Sequence, residues 1–183
     1  MQYLPLGRTG IDVSRIAFGC GPVPALLTSA DSSRQRDTVE RALAAGINWF
    51  DTAAGYGNGD SESRLGETFR ELGVGDEVHV ATKVRLEQPD LADIEKAVKK
   101  SLPASLALLG RERVPLLKLH NSVTPRRDDE PTSITPGDVL GRHGVLEAFE
   151  DLQREGLVQH VGLTGLGQHP ALAEVLDSGA FAS

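Results

Sequence analysis

The chain is short of several things at once, and each shortage removes a class of explanation. It has a single cysteine, Cys20. One thiol builds neither an intrachain disulfide nor a cysteine cluster for zinc, which fits a reducing compartment. Cations are in the minority: 19 Lys and Arg against 26 Asp and Glu leave a net charge of −7. Nucleic acids and anionic membranes both need a basic face, so neither is an expected partner. A local basic pocket for a phosphorylated cofactor remains compatible with that balance. No apolar run approaches the length of a membrane span. The first residues, Met1 to Arg8, also lack the apolar stretch of a signal peptide, so a cytoplasmic protein is expected. Aromatics are sparse, with one tryptophan and two tyrosines, so a tyrosine set between glycines stands out.

What is present is an alternation. With 183 residues, 39% of them hydrophobic, the chain is long enough for one domain with a core and short for two. Residues 1–183 are accordingly read as one domain. Gln2 to Val13 reads as a hairpin turning through Gly7-Arg8-Thr9-Gly10. A short strand, Ile16 to Phe18, ends at Gly19-Cys20-Gly21-Pro22. After a proline-containing loop comes a helix with an N-cap at Asp31–Ser33, Val39 and Leu43 on one face, and Gly46 as its stop. The unit then repeats. Strand 47–51 is followed by a helix carrying Leu65, Phe69 and Leu72, ending at Gly73. Strand Val78–Lys83 is followed by a helix from Asp90 with Ile94, Val98 and Leu102, ending at Gly110. Strand Val114–Leu119 leads to His120, a polar loop from Asn121 to Gly141, and a helix carrying Val145, Phe149 and Leu152. Strand Val158–Thr164 leads to a helix opened by His169-Pro170 and closed by Gly179. Phe181-Ala182-Ser183 reads as the start of another strand. Two prolines cut across this pattern. Pro103 should kink or break the third helix. Pro115 belongs at a sheet edge or at a strand's first position.

About five strand–helix units of βαβ size imply a parallel sheet. A dinucleotide-binding Rossmann domain would place Gly-x-Gly-x-x-Gly directly after its first strand. The first strand ends Gly19-Cys20-Gly21-Pro22 instead, and Gly165-Leu166-Gly167-Gln168-His169-Pro170 lacks the third glycine. The fold class expected is therefore α/β, an incomplete TIM (β/α)8-type barrel of about five units behind an N-terminal β-hairpin. A full barrel takes about 250 residues.

The chain is organised around Asn48-Trp49-Phe50-Asp51-Thr52-Ala53-Ala54-Gly55-Tyr56-Gly57, a buried strand that ends in an acid and a glycine-flanked phenol. Asp51, Lys83 and His120 stand at the ends of consecutive strands, with Tyr56 just beyond the first of these. Singly, each has an ordinary explanation: a solvated strand end, a packed turn aromatic, a satisfied loop histidine. In a parallel barrel, however, consecutive strand ends are neighbours on the rim that carries active sites. A phenol ionises near pH ~10 and donates poorly, and an ammonium beside it favours the phenolate. A carboxylate keeps that ammonium charged and placed, and a histidine opposite can orient a carbonyl oxygen. The set suits a general acid acting as hydride arrives, and it contains no hydride donor, so a cofactor is required. His79, His143, His160 and His169 are read as structural, and no metal site is expected.

These motifs resemble the aldo-keto reductases. The likeness runs through Leu6-Gly7-Arg8-Thr9-Gly10, Asn48 to Ala53, Gly55-Tyr56-Gly57, Glu62-Ser63-Arg64-Leu65-Gly66-Glu67, Ala81-Thr82-Lys83 and Leu119-His120-Asn121. The resemblance implies reversible hydride transfer between NAD(P)H and an aldehyde, ketone, sugar or alcohol, with NADP(H) favoured over NAD(H). Carried over, Tyr56 is the proton donor, Lys83 the cation beside it, Asp51 the partner of Lys83, and His120 the group orienting the carbonyl. Cofactor contacts fall on Gly19, Cys20, Gly21, Asp51 and Thr164, and substrate contacts on Trp49, Tyr56, His120 and Asn121. Thr164-Gly165 stands where the family often has Ser-Asn. The family's stacking aromatic and its basic phosphate-binding segments come from units that would follow Ser183. The alternative is a catalytically inactive barrel fragment acting as a binding or assembly module, self-associating through open sheet edges. The loop Asn121–Gly141 is either the substrate-selecting element or a mobile insertion.

Overall fold

The computed structural model describes residues 1–21 and 32–183. Pro22, the loop after it and the Asp31 end of the expected N-cap lie outside them. The hairpin pairs β1 (Tyr3–Pro5) with β2 (Asp12–Ser14) in antiparallel register, Tyr3 opposite Ser14. Five strands follow: β3 (Phe18–Gly19), β4 (Trp49–Asp51), β5 (His79–Val84), β6 (Val114–Leu119) and β7 (Val158–Leu163). All pair in parallel, in the order β3-β4-β5-β6-β7. Sequential parallel order is the winding of a (β/α)8-type barrel, because a doubly wound sheet reverses direction at a switch point. The helices are α1 (Ser32–Ala44), α2 (Asp60–Leu72), α3 (Ile94–Leu109), α4 (Pro136–Leu140), α5 (Val145–Arg154) and α6 (His169–Asp177).

Alternation along each strand divides the side chains between two faces. Phe50, Val80, Val84, Leu117, Leu119 and Val161 face the helices and join the main core with Leu65, Phe69, Val98, Leu102, Phe149 and Leu152. The opposite, inner face carries Trp49, Ala81 and Leu116, closed from below by Leu6, Ile11 and Val13 of the hairpin. The hairpin is thus a floor. Asn48 fastens it, accepting from Ser14 N at 2.7 Å and donating to Asp12 O at 3.0 Å.

Several expectations meet local physics. Helix α3 runs unbroken through Pro103. The proline is on the exposed side, where water can serve the carbonyl that its missing N–H leaves free. Pro115 is the second residue of an interior strand, but the register with β5 opens one residue later, at Ala81 opposite Leu116. Val114 N turns the other way, to Leu157 O, so the nitrogen of Pro115 faces a ladder that has not yet begun. The segment 121–141 contains α4, and Val123, Thr124, Ser133 and Ile134 within it are fully buried. It is a packed part of the fold, capped at Thr135 and Asp138 by reciprocal bonds. Residues 181–183 are not a strand, yet Ala182 N donates to Val161 O and Leu163 N to Ser183 O, so they run beside β7.

Of the Gly165 and Gly167 pair, Gly167 has a structural use in the packing of the segment that carries Val123. Gly167 bridges Val123, and a Cβ added to it would lie 2.1 Å from Val123 O. Its φ of +125° also lies where side chains are strained. A Cβ at Gly165, with φ of +66°, would meet nothing within 4 Å. Gly165→Ala is expected to cost about 1 kcal/mol, the left-handed penalty alone. Gly167→Ala is expected to cost more than about 2 kcal/mol, from strain plus overpacking. Urea unfolding of both variants checks the ranking; equal costs would contradict the close backbone approach.

Candidate active site

The site is built at the C-terminal ends of β4, β5 and β6. Asp51 ends β4, Lys83 lies near the end of β5 opposite Lys118 of β6, and His120 directly follows β6. All four are on the inner face by strand alternation. The loop after β4 brings Tyr56 over them. Tyr56 N donates to Ala53 O at 3.0 Å, and a 3₁₀ turn over Tyr56–Gly59 passes through left-handed Gly57, Asn58 and Gly59. Asparagine tolerates that conformation better than most residues. A buried clamp fixes where the loop lands. Thr52 Oγ1 and Ser61 Oγ share a hydrogen bond at 2.9 Å, and Ser61 Oγ donates to Cys20 O at 2.9 Å. Thr82 Oγ1 donates to Glu62 Oε1 at 2.5 Å. The first turn of α2 is thereby tied to β5 and to the residues just beyond β3 and β4.

Lys83 is the hub, with its side chain 4% exposed. Its Nζ donates to Asp51 Oδ1 at 2.5 Å, Thr52 O at 2.8 Å and Tyr56 OH at 3.0 Å. An ammonium has three protons, so this buried cation is fully satisfied. Tyr56 OH accepts from Lys83, which leaves its own proton free for another acceptor. The Tyr56 and His120 rings meet edge to face, centroids 5.5 Å apart. Burial, then the charges of Lys83 and Arg85, pushes the His120 imidazole down to about 4, so the ring is neutral at neutral pH. Its buried Nδ1 has no hydrogen-bond partner among the described residues. Asp51 Oδ2 is taken by Lys118 Nζ.

Not every residue expected here is in place. Asp51, Tyr56, Lys83 and His120 converge. Gly19 and Gly21 lie at the rim; a Cβ at Gly19 would meet nothing within 4 Å, and one at Gly21 would touch the Tyr56 ring at 3.7 Å. Cys20 does not reach the mouth: its side chain is fully buried in the main core, and burial pushes its thiol well above the usual range. Trp49 belongs to the floor, because it lies two residues before Asp51 on the inner face and the hairpin covers it. Asn121 is 2% exposed and spends its amide on the backbone, with Oδ1 accepting from Leu86 N and Nδ2 donating to Leu86 O and Thr132 O. It holds the segment 121–141 to Leu86, just beyond β5. Thr164 directly follows β7 at the rim, its hydroxyl donating to Leu119 O at 3.2 Å. Sequence reading missed Lys118, Thr52, Ser61, Glu62 and Thr82. Lys118 had a signal, because it precedes His120 by two residues on a strand and must share its face. Among the described residues no group of three or more His, Cys, Asp or Glu is placed to hold a metal ion.

The chain belongs to the aldo/keto reductase family, whose model matches residues 15–178. It is 30% identical to L-galactose dehydrogenase of Arabidopsis thaliana over 167 residues, covering 91% of this chain and 49% of that protein. D-threo-aldose 1-dehydrogenase of a Pseudomonas species is 28% identical, covering 84% of this chain and 50% of that one. Among solved structures, the holo form of an aldo-keto reductase from Bacillus halodurans matches with a TM-score of 0.66 at 29% identity, over 93% of this chain and 51% of that one. The chain thus spans about half the length of these relatives.

The depressed His120 has a consequence for stability. In the unfolded chain the imidazole takes up its proton near 6.5, whereas in the folded chain it resists until about 4. Between those values the unfolded state binds more protons, so His120 makes stability fall as pH drops through that window. Urea unfolding from pH 7 to pH 4 should show this slope, and His120→Asn should flatten it. An unchanged slope in the variant would mean that the ring is freely protonated in the fold.

Proposed function

We propose that the chain carries the proton-transfer machinery of a nicotinamide-dependent oxidoreductase acting reversibly between a carbonyl and an alcohol. The observation that supports this best is the single ammonium of Lys83 bonded at once to Asp51, Thr52 and Tyr56. With its lone pair held by Lys83, the Tyr56 hydroxyl directs its proton into the mouth. A carbonyl oxygen placed there accepts that hydrogen bond. As negative charge builds on the oxygen, the proton crosses to it and Lys83 stabilises the phenolate left behind. Neutral His120 offers a second contact to the same oxygen and fixes its approach. In the reverse direction the phenolate takes the proton of an alcohol.

NADP(H) or NAD(H), when bound, supplies or accepts the hydride. The residues present fit its nicotinamide end: Gly19 leaves open space at the rim, Gly21 borders the Tyr56 ring, and Thr164 directly follows β7. Two relatives bear the names of aldose dehydrogenases, which favours a sugar among the candidate substrates. The alternative reading is a binding or assembly module without turnover.

Two measurements separate these readings. Saturable fluorescence titration of NADPH with turnover of simple aldehydes or aldoses is expected for the oxidoreductase, and a folded chain that binds no NADPH favours the module. Tyr56→Phe should lower kcat by at least about 10²-fold, the usual contribution of a positioned acid, while keeping cofactor affinity. Parental turnover in that variant would reject Tyr56 as the acid.

A further inference from the structure

The inner face holds a charge that the four converging residues do not account for. Lys83 of β5 and Lys118 of β6 are directly opposite in the parallel register. Both reach Asp51, Lys83 through Oδ1 and Lys118 through Oδ2. The two lysine side chains are 4% and 15% exposed, and that of Asp51 is 24% exposed. One carboxylate therefore stands between two largely buried ammonium groups. Had Asp51 served Lys83 alone, the pair would be neutral overall and Tyr56 would face little net charge.

We propose that Lys118 is a positioning residue of the site: it pins the second oxygen of Asp51 and gives the Lys83–Asp51–Lys118 network one surplus positive charge beneath Tyr56. Three links join that charge to the phenol: Lys118 to Asp51, Asp51 to Lys83, and Lys83 to Tyr56 OH. Pinning both oxygens stops the carboxylate from turning and holds the Lys83 ammonium in the plane that reaches Tyr56. The surplus charge favours the phenolate over the phenol. None of the other titratable groups facing the network is hydrogen-bonded to either lysine. Cys20, at the end of β3, is held as the thiol by burial. Glu62, on α2, is raised by burial and hydrogen-bonded to Thr82. His120 is neutral at neutral pH, and Arg85, beyond β5, adds positive charge.

The inference deepens the reading of Tyr56 as an acid, but its test needs neither cofactor nor turnover, so the two can fail separately. The chain has two tyrosines, and in a Tyr3→Phe background the ultraviolet absorbance of phenolate reports Tyr56 alone. Removing the surplus charge with Lys118→Met should move phenolate formation to higher pH by about half to one unit, the effect of a charge two residues away in a partly buried network. Lys118→Gln keeps a hydrogen-bond donor and loses the charge, so it should move in the same direction, whereas Lys118→Arg should stay with the parent. Circular dichroism and Trp49 fluorescence check that each variant is folded; if Lys118→Met is not, the Gln and Arg pair decides. Unmoved titrations in both Met and Gln would overturn the proposal. A shift in Met with none in Gln would reject the surplus charge and leave Lys118 as a tether.

Discussion

A buried ammonium is tolerable only where each of its protons has an acceptor, and Lys83 meets that condition with groups from three places. Asp51 comes from the neighbouring strand, Thr52 from the backbone just beyond it, and Tyr56 from the loop that follows. Losing any one acceptor would strand charge in a low-dielectric interior. The requirement therefore dictates where the β4–α2 loop must lie. It also explains why so much buried polar bonding, from Thr52, Ser61, Glu62 and Thr82, is spent on holding that loop. The clamp is the support, and the lysine is what it supports.

The same logic organises the two ends of the inner face. Near the floor, Trp49, Ala81 and Leu116 meet apolar hairpin residues. One step higher along the same strands the side chains are Asp51, Lys83 and Lys118, and beyond them His120. The change from oil to charge happens over two residues per strand, about 7 Å. A sheet face that switches so abruptly can bury a core at one end and present reactive groups at the other without a separate domain for each.

Much of this was legible in the sequence because it follows local rules. The order of elements came from apolar periodicity and glycine stops, and the convergence of Asp51, Lys83, His120 and Tyr56 came from strand ends sharing a rim. Depth along a strand and the direction of a loop side chain were harder to read. Trp49 sits next to the motif in sequence, yet two residues along a strand separate floor from mouth. Asn121 follows His120 directly, yet it turns to the backbone of Leu86 because the segment 121–141 needs an anchor. Cys20 alternates into the core. Lys118 was overlooked although it precedes His120 by two residues and so shares its face. Pro103 was read too severely, since helix tolerance depends on which side of the helix meets water.

The hairpin floor is built from sequence-distant pieces, and this bears on the order in which the chain can acquire its fold. Asn48 holds the hairpin through Ser14 and Asp12, 34 and 36 positions earlier. Leu116 completes the apolar cluster much later. Arg8 donates to Gly179 O and Phe181 O, across 171 and 173 residues. During synthesis the hairpin emerges before each of these partners, and before Gly179 and Phe181 by the widest margin. Contacts of such separation carry the largest loop-closure cost. The floor therefore closes in stages, strand by strand, and the guanidinium of Arg8 acts as a latch that engages only after the β7 unit has been made.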